Sequence, residues 1–248
     1  MTVPIRRRAD FRDNPILFVE LAHEWAAGGP RPEPQYEAWL RELPRPIISK
    51  PALAREALWG TLSYPQRAQS LEWLDSVGLL QEILPVWDGD PLRRALRLQA
   101  ADEVRRERWS GGLSDTAFDW LSVYQDQRVD GRLGGWAMSG LTTLLLIGDN
   151  PPDIHAARVA ADLKTLGAND GERERVLTAI REAPELFRTI TTCSTPARTF
   201  SPTVIVAVLS SLMIEPDISE ETMHRWITCA DRLLTRYAAP DHAPGRLR

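Results

Sequence analysis

The sequence is poor in cysteine and has no long apolar run. Two cysteines, Cys193 and Cys229, occur in 248 residues, too few for a disulfide framework and without the spacing of a metal site. No apolar run approaches the ~18 residues that a membrane-spanning helix needs. In a signal peptide an apolar stretch follows the positive charges of the N-terminus. This sequence has no such stretch there. We therefore expect a cytoplasmic protein without a membrane partner.

The usual catalytic signatures are also missing from the sequence. It contains no Gly-rich phosphate loop, no G-x-S-x-G elbow and no His-Glu-x-x-His pair. The four histidines are far apart along the chain, so they do not form the grouped ligands that a metal site requires. From the residues alone we assign no catalytic residue, no metal and no cofactor.

Positive charge is carried almost entirely by arginine. Of the 30 basic residues only Lys50 and Lys164 are lysines, and the formal net charge is -4. Arginine favours planar, bidentate contacts to carboxylates or phosphates, although a GC-rich genome produces the same bias. An acidic protein can bind nucleic acid only through a local basic patch.

The apolar residues follow a helical period in most segments, and no segment alternates as a strand would. The sequence therefore predicts an all-α fold. The first amphipathic helix is expected to be capped by Asp13 or Asn14, to start at Pro15 and to end at Gly28-Gly29. In the stretch from Gln66 to Pro85, Gly78 is expected to adopt a left-handed conformation between two helices.

Further helices are predicted along the rest of the chain. They start at Pro51, run over Trp136–Ile147, Asp153–Leu166, Glu172–Glu182 and Thr203–Met213, and start again at Ser219. We divide the chain into a basic arm (1–10), a first helical region (11–110), a second helical region (111–240) and a disordered tail (241–248).

Two arginine groups are candidates for contacts to phosphate. They lie in the arm and first helix (Arg6, Arg7, Arg8 and Arg12) and in the predicted helix from Pro91 to Trp109 (Arg93, Arg94 and Arg97). The second group is interleaved with carboxylates, which is also typical of a helix face laced with ion pairs and exposed to solvent.

Three stretches together resemble a known family. They are F-R-D-N-P at Phe11–Pro15, Ile48-Ser49 before a helix, and L-L-x-x-I-L-P at Leu79–Pro85. This order resembles the helical neck and body of class II tRNA nucleotidyltransferases and bacterial poly(A) polymerases, with weaker similarity beyond Pro85 to the HD phosphohydrolase domain of some members. The resemblance implies a helical array that holds RNA.

The departures from the family pattern imply that its activities are lost. The chain begins where the catalytic head of the family has ended, and Leu17 replaces the arginine that contacts the incoming base. Glu20 and His23 stand where the family places arginines. In the HD-like region Ile147 and Gly148 occupy the positions of the metal-binding His-Asp pair.

These features leave three functions open. The first is a head-less, non-catalytic protein that binds tRNA or another structured RNA, or acts as a scaffold beside a separate nucleotidyltransferase partner. The second is a protein–protein interaction module without an RNA role, which would dock a protein partner through Ile16, Leu17 and Trp25 of the first helix. The third is a divergent nucleotidyltransferase subunit or phosphohydrolase.

Overall fold

A computed structural model describes residues 6–43, 50–85, 96–101, 113–117, 119, 135–146, 152–196, 198–214 and 217–237. Within these ranges the protein is all-α and contains no β-strand. This confirms the predicted fold class. No described helix is both long enough and apolar enough to cross a bilayer.

The first six helices form the N-terminal part of the structure. They are α1 (Arg8–Asp13), α2 (Leu17–Ala26), α3 (Pro34–Glu42), α4 (Pro51–Leu62), α5 (Arg67–Ser76) and α6 (Leu79–Ile83). Residues 96–101 and 115–117 are also helical. Five further helices follow: α7 (Gly135–Leu145), α8 (Pro152–Thr165), α9 (Asp170–Thr192), α10 (Pro202–Met213) and α11 (Glu220–Tyr237).

Two of the predicted glycine turns have the expected backbone. Gly78 separates α5 from α6 with φ 76°, and Gly28 follows α2 with φ 98°. Because L-residues with a side chain seldom adopt positive φ, glycine is the natural residue at both turns. These positions confirm the predicted helix ends.

The start of the chain differs from the expectation. The predicted basic arm, residues 1–10, runs into a helix: α1 begins at Arg8, where the carboxylate of Asp10 accepts the Arg7 backbone N–H at 2.7 Å. Phe11 anchors this helix because its ring is buried and lies 4.5 Å from the Phe18 ring, centroid to centroid. The predicted cap at Asp13 or Asn14 was wrong, since α2 begins at Leu17.

The first hydrophobic core lies between α1–α8 and the first half of α9. α2 packs on α4 and α5, and α4 also packs on α7. Fully buried side chains such as Phe18, Leu58, Leu74 and Leu141 fill the space between these helices. Helices from both sides of residue 110 therefore share this core, while the proposed boundary itself lies outside the described residues.

The second hydrophobic core lies between the rest of α9, α10 and α11. α10 is buried from Pro202 to Leu212 and packs on α7, α9 and α11. α9 joins the two cores because Val176 and Ile180 belong to the first and Leu186 and Ile190 to the second. At its 23 residues α9 spans roughly 35 Å, which is long enough to contact both.

A reciprocal capping box fixes the start of α9. The Asn169 side chain accepts the Glu172 backbone N–H at 2.9 Å, and the Glu172 carboxylate accepts the Asn169 N–H at 3.0 Å. Asn169 thus caps the helix that the sequence predicted over Glu172–Glu182. The predicted end at Glu182 was too early, because the helix continues through the exposed Pro184 to Thr192.

Candidate functional site

The arginines of the N-terminal segment are occupied by carboxylates. Arg6, whose side chain is mostly buried, pairs with Glu24 and lies 3.8 Å from Glu20. Arg8 forms an ion pair with Glu42 of α3. These guanidinium groups hold α1 to α2 and α3, so a phosphate would have to compete with an internal partner at each one.

The remaining arginines of this predicted group differ from one another. Arg12 is exposed and pairs with the adjacent Asp13 at 3.0 Å. Arg7 is exposed at the start of α1. Arg12 and Arg7 are therefore reachable from solvent, and their contact to RNA stays a prediction.

The second predicted group lies mostly outside the described residues. Arg93 and Arg94 are not described. Arg97 is described and is only 8% exposed, with an interaction partner inside the protein. A phosphate in solvent cannot reach a guanidinium buried to this degree, so Arg97 is not available as an RNA contact in this fold.

The residues predicted to dock a partner lie in or against the first core. Ile16 is 2% exposed, and Leu17 and Trp25 are partly buried against the same core. The Trp25 ring is also covered by the guanidinium of Arg31 at 5.7 Å. The chain itself therefore covers much of the face that the sequence suggested for a partner.

The residues that depart from the family pattern take structural positions in α2. Glu20 lies beside Arg6, as described above, and His23 packs its ring 5.4 Å from the Tyr64 ring. His23 also lies against Gly60, where a Cβ atom would come within 2.7 Å of its Nε2. Glu20 thus faces the N-terminal segment, and His23 packs against α4 and the loop that follows it.

Ile147 and Gly148, predicted to replace a metal-binding His-Asp pair, lie outside the described residues. His155 of α8 is described and buried, and its Nε2 lies 2.6 Å from the Leu145 carbonyl oxygen at the end of α7. This contact satisfies a carbonyl that the helix end leaves without an intrahelical partner. Within the described ranges no three His, Cys, Asp or Glu side chains group as metal ligands.

A row of exposed arginines lies on the last described helix instead. Arg225, Arg232 and Arg236 follow the spacing i, i+7 and i+11, which places them on one stripe of α11. All three are exposed, and none has a carboxylate at ion-pair distance among the described residues. Of the acidic residues of α11, Glu221 lies one turn before Arg225 on the same helix face, but no ion pair joins these two described residues.

The carboxylate nearest to this row in sequence is held by another donor. Asp231 accepts both the backbone N–H and the hydroxyl of Ser114, each at 2.7 Å. In a helix Asp231 points about 100° away from its neighbour Arg232. Asp231 is therefore directed toward Ser114 and does not neutralise the arginine stripe.

A pocket of about 190 Å³ lies beside the arginine stripe. Arg232 and Arg236 line it on one side, and the polar side chains of Ser194 and Thr195, just after α9, line it on the other. Cys193 ends α9 in the left-handed conformation at φ 51°. Its backbone N–H donates to the Ile190 carbonyl at 3.2 Å, which fixes the start of this loop.

Sequence reasoning identified α11 only by its apolar stripe, from Met223 to Tyr237. The spacing of Arg225, Arg232 and Arg236 is nevertheless visible in the sequence. The missing information was which of many arginines have carboxylate partners in the fold, and that depends on contacts between distant segments.

The chain matches no family model and no curated protein. The resemblance to the helical region of tRNA nucleotidyltransferases thus stays an expectation from the sequence.

Proposed function

We propose that this chain is a non-catalytic RNA-binding or scaffold protein, related to the helical region of class II tRNA nucleotidyltransferases, that holds phosphates of a structured RNA such as tRNA. The observation that carries the proposal is the exposed arginine stripe of α11, made by Arg225, Arg232 and Arg236 and without carboxylate partners among the described residues.

The chemistry of the stripe suits a polyanion. A guanidinium group donates two parallel hydrogen bonds to phosphate oxygens and keeps its charge at all physiological pH values. At 1.5 Å per residue, Arg225 and Arg232 lie roughly 10 Å apart along the helix, and Arg232 and Arg236 roughly 6 Å. A single small anion would occupy only part of this row, whereas an RNA backbone presents phosphates along its whole length.

The overall charge of the chain makes a local basic surface necessary for RNA binding. A protein with net charge -4 repels RNA on average, so binding needs a local region of opposite sign. The hydroxyls of Ser194 and Thr195 across the pocket add neutral donors for the same phosphates.

A titration of labelled tRNA at low salt tests this function. The variant Arg225→Gln/Arg232→Gln/Arg236→Gln keeps long polar side chains and removes three charges, and we expect it to lose at least tenfold in affinity. The matched control is Arg8→Gln/Arg12→Gln/Arg181→Gln, which removes three exposed arginines that already pair with carboxylates.

The outcome of this titration decides between the proposed site, another site and no RNA binding. A loss confined to the α11 variant supports the proposed site. A loss confined to the control would move RNA binding to Arg8, Arg12 or Arg181 and overturn the site. No binding of tRNA by the unmodified protein would overturn the function.

A further inference from the structure

The fold brings together the two cysteines of the chain. Cys193 ends α9 and Cys229 lies in the middle of α11, and both line the pocket beside the arginine stripe. The Cys193 sulfur lies 3.8 Å from the Arg225 carbonyl, and the Cys229 sulfur lies 3.8 Å from the Thr189 carbonyl. Arg225 lies four residues before Cys229 and Thr189 lies four residues before Cys193, so these crossed contacts place the two thiols side by side.

The two thiols have unequal environments. Cys193 is partly exposed, whereas Cys229 is 5% exposed. Burial raises the pKa of the Cys229 thiol to about 11, Cys193 adds to this effect, and Arg232 opposes it. A reagent entering from solvent therefore meets Cys193 first, with Cys229 protonated behind it.

Cys193 has a left-handed backbone conformation, which is unusual for a residue that carries a side chain. A helix that ends in the left-handed conformation normally has glycine or asparagine there, because a Cβ atom crowds the following carbonyl oxygen. Strain of this kind often marks a functional position. It holds the Cys193 side chain at the pocket wall, next to Cys229.

We propose that Cys193 and Cys229 form a reversible disulfide bond by exchange with a small, carboxylate-bearing disulfide that enters the pocket between Arg232 and Arg236. The two guanidinium groups suit carboxylates on the entering molecule. This inference does not rest on RNA binding, although Arg232 and Arg236 belong to the arginine stripe proposed to bind RNA.

The exchange has two balanced steps. In the first, the Cys193 thiolate attacks one sulfur of the small disulfide, forms a mixed disulfide and releases one thiolate. In the second, the Cys229 thiol loses its proton to solvent and attacks the Cys193 sulfur, which forms the internal bond and releases the second thiolate. The protein loses two electrons and two protons, and the small disulfide is reduced to two thiols.

Oxidised glutathione is the probe that tests this proposal. We expect incubation of the full chain to abolish both titratable thiols, and intact mass to show the loss of two hydrogen atoms without an adduct. Peptide mapping should recover Cys193 linked to Cys229. Addition of a dithiol reductant should restore both thiols.

Single substitutions separate the two roles. Cys229→Ser should stop the reaction at the first step and leave one glutathionyl group on Cys193. Cys193→Ser should remain unmodified over the same time, because Cys229 is buried. Circular dichroism of both variants checks that they are folded.

The arginines are tested with two probes of opposite charge. The unmodified protein should react at least several-fold faster with oxidised glutathione than with the cationic disulfide cystamine, and Arg232→Gln/Arg236→Gln should remove this preference. Equal rates with both probes would overturn the role of the arginines. Two thiols that persist at equilibrium, two separate adducts, or only disulfide-linked dimers would overturn the internal bond.

Discussion

In the N-terminal part of the molecule Arg6 and Arg8 pair with carboxylates of neighbouring helices, and Arg67 is fully buried beneath α7. Along α11 the same residue type is exposed at Arg225 and Arg232 with no carboxylate at ion-pair distance in the described ranges. The first group stabilises contacts between helices. The second keeps its charge available to a ligand.

This contrast shows why the number of arginines says little about where an anion binds. A guanidinium group that already has a carboxylate partner must break that pair before it can bind a phosphate. An exposed guanidinium without a partner loses only hydration. Substitutions in the two regions should therefore change different quantities: stability in the first and binding in the second.

The largest expected effect comes from crowding the buried arginine. A Cβ atom at Gly140 of α7 would lie 2.5 Å from Nη1 of Arg67 and 3.0 Å from its Cζ. Arg67 is fully buried and donates to the Leu62 carbonyl at 3.1 Å. We expect Gly140→Ala to lower the free energy of unfolding by roughly 1–3 kcal/mol, measured by urea denaturation.

Gly171→Ala is the matched control for this experiment. The added Cβ would make only an ordinary contact, 3.4 Å from the Asn169 side chain. Because alanine is a better helix former than glycine, this variant should be neutral or more stable by up to about 1 kcal/mol. If both variants had the same stability, the tight packing of α7 on Arg67 would be contradicted.

A medium loss of stability is expected where an arginine that pairs with a carboxylate is removed. Arg6→Ala removes the ion pair to Glu24 and its mostly buried guanidinium, and should cost about 1 kcal/mol. Arg232→Ala removes an exposed side chain and should change the free energy of unfolding by less than about 0.5 kcal/mol. Parallel urea denaturation compares them, and equal losses would erase the proposed difference between the two regions.

A pH dependence of stability is also expected in the second core. The pKa of the Cys229 thiol rises from its ordinary 9.0 to about 11 in the folded protein, mainly by burial, with Cys193 and Arg232 as the titratable groups that face it. Between these pH values the unfolded chain has lost the proton that the folded chain retains. Stability from this group is thus complete below pH 9 and is lost as the pH rises toward 11.

Cys229→Ser provides the comparison for this prediction. The unmodified protein should lose more free energy of unfolding between pH 9 and 11 than the variant, in the reduced state and by the same urea titration. Parallel curves for the two proteins would show that Cys229 is not the group responsible.

Local patterns in the sequence predicted much of the fold. The all-α class, the turn at Gly78, the buried α10 and the cap at Asn169 follow from short-range rules on periodicity, glycine and capping. The errors arose where packing overrode a local signal. Pro15 resembles a first helical residue, but Phe11 anchors an earlier helix to α2.

The candidate site was much less predictable. Arg6 in a basic run suggested a phosphate contact, yet Glu20 and Glu24 of α2 supply its partners. Cys193 and Cys229 are far apart in sequence, so no spacing rule could pair them. Both outcomes depend on which distant helices meet, and one sequence does not contain that information in any local pattern.

The salt dependence of tRNA binding tests the central claim most directly. Each neutralised phosphate contributes roughly 0.7–0.9 to the slope of log affinity against log salt concentration. If Arg225, Arg232 and Arg236 contact RNA, the slope should become shallower by roughly 2–3 in the variant that replaces all three with glutamine. It should stay unchanged in Arg8→Gln/Arg12→Gln/Arg181→Gln. Equal slopes for the unmodified protein and the α11 variant would contradict an RNA-binding role for this helix.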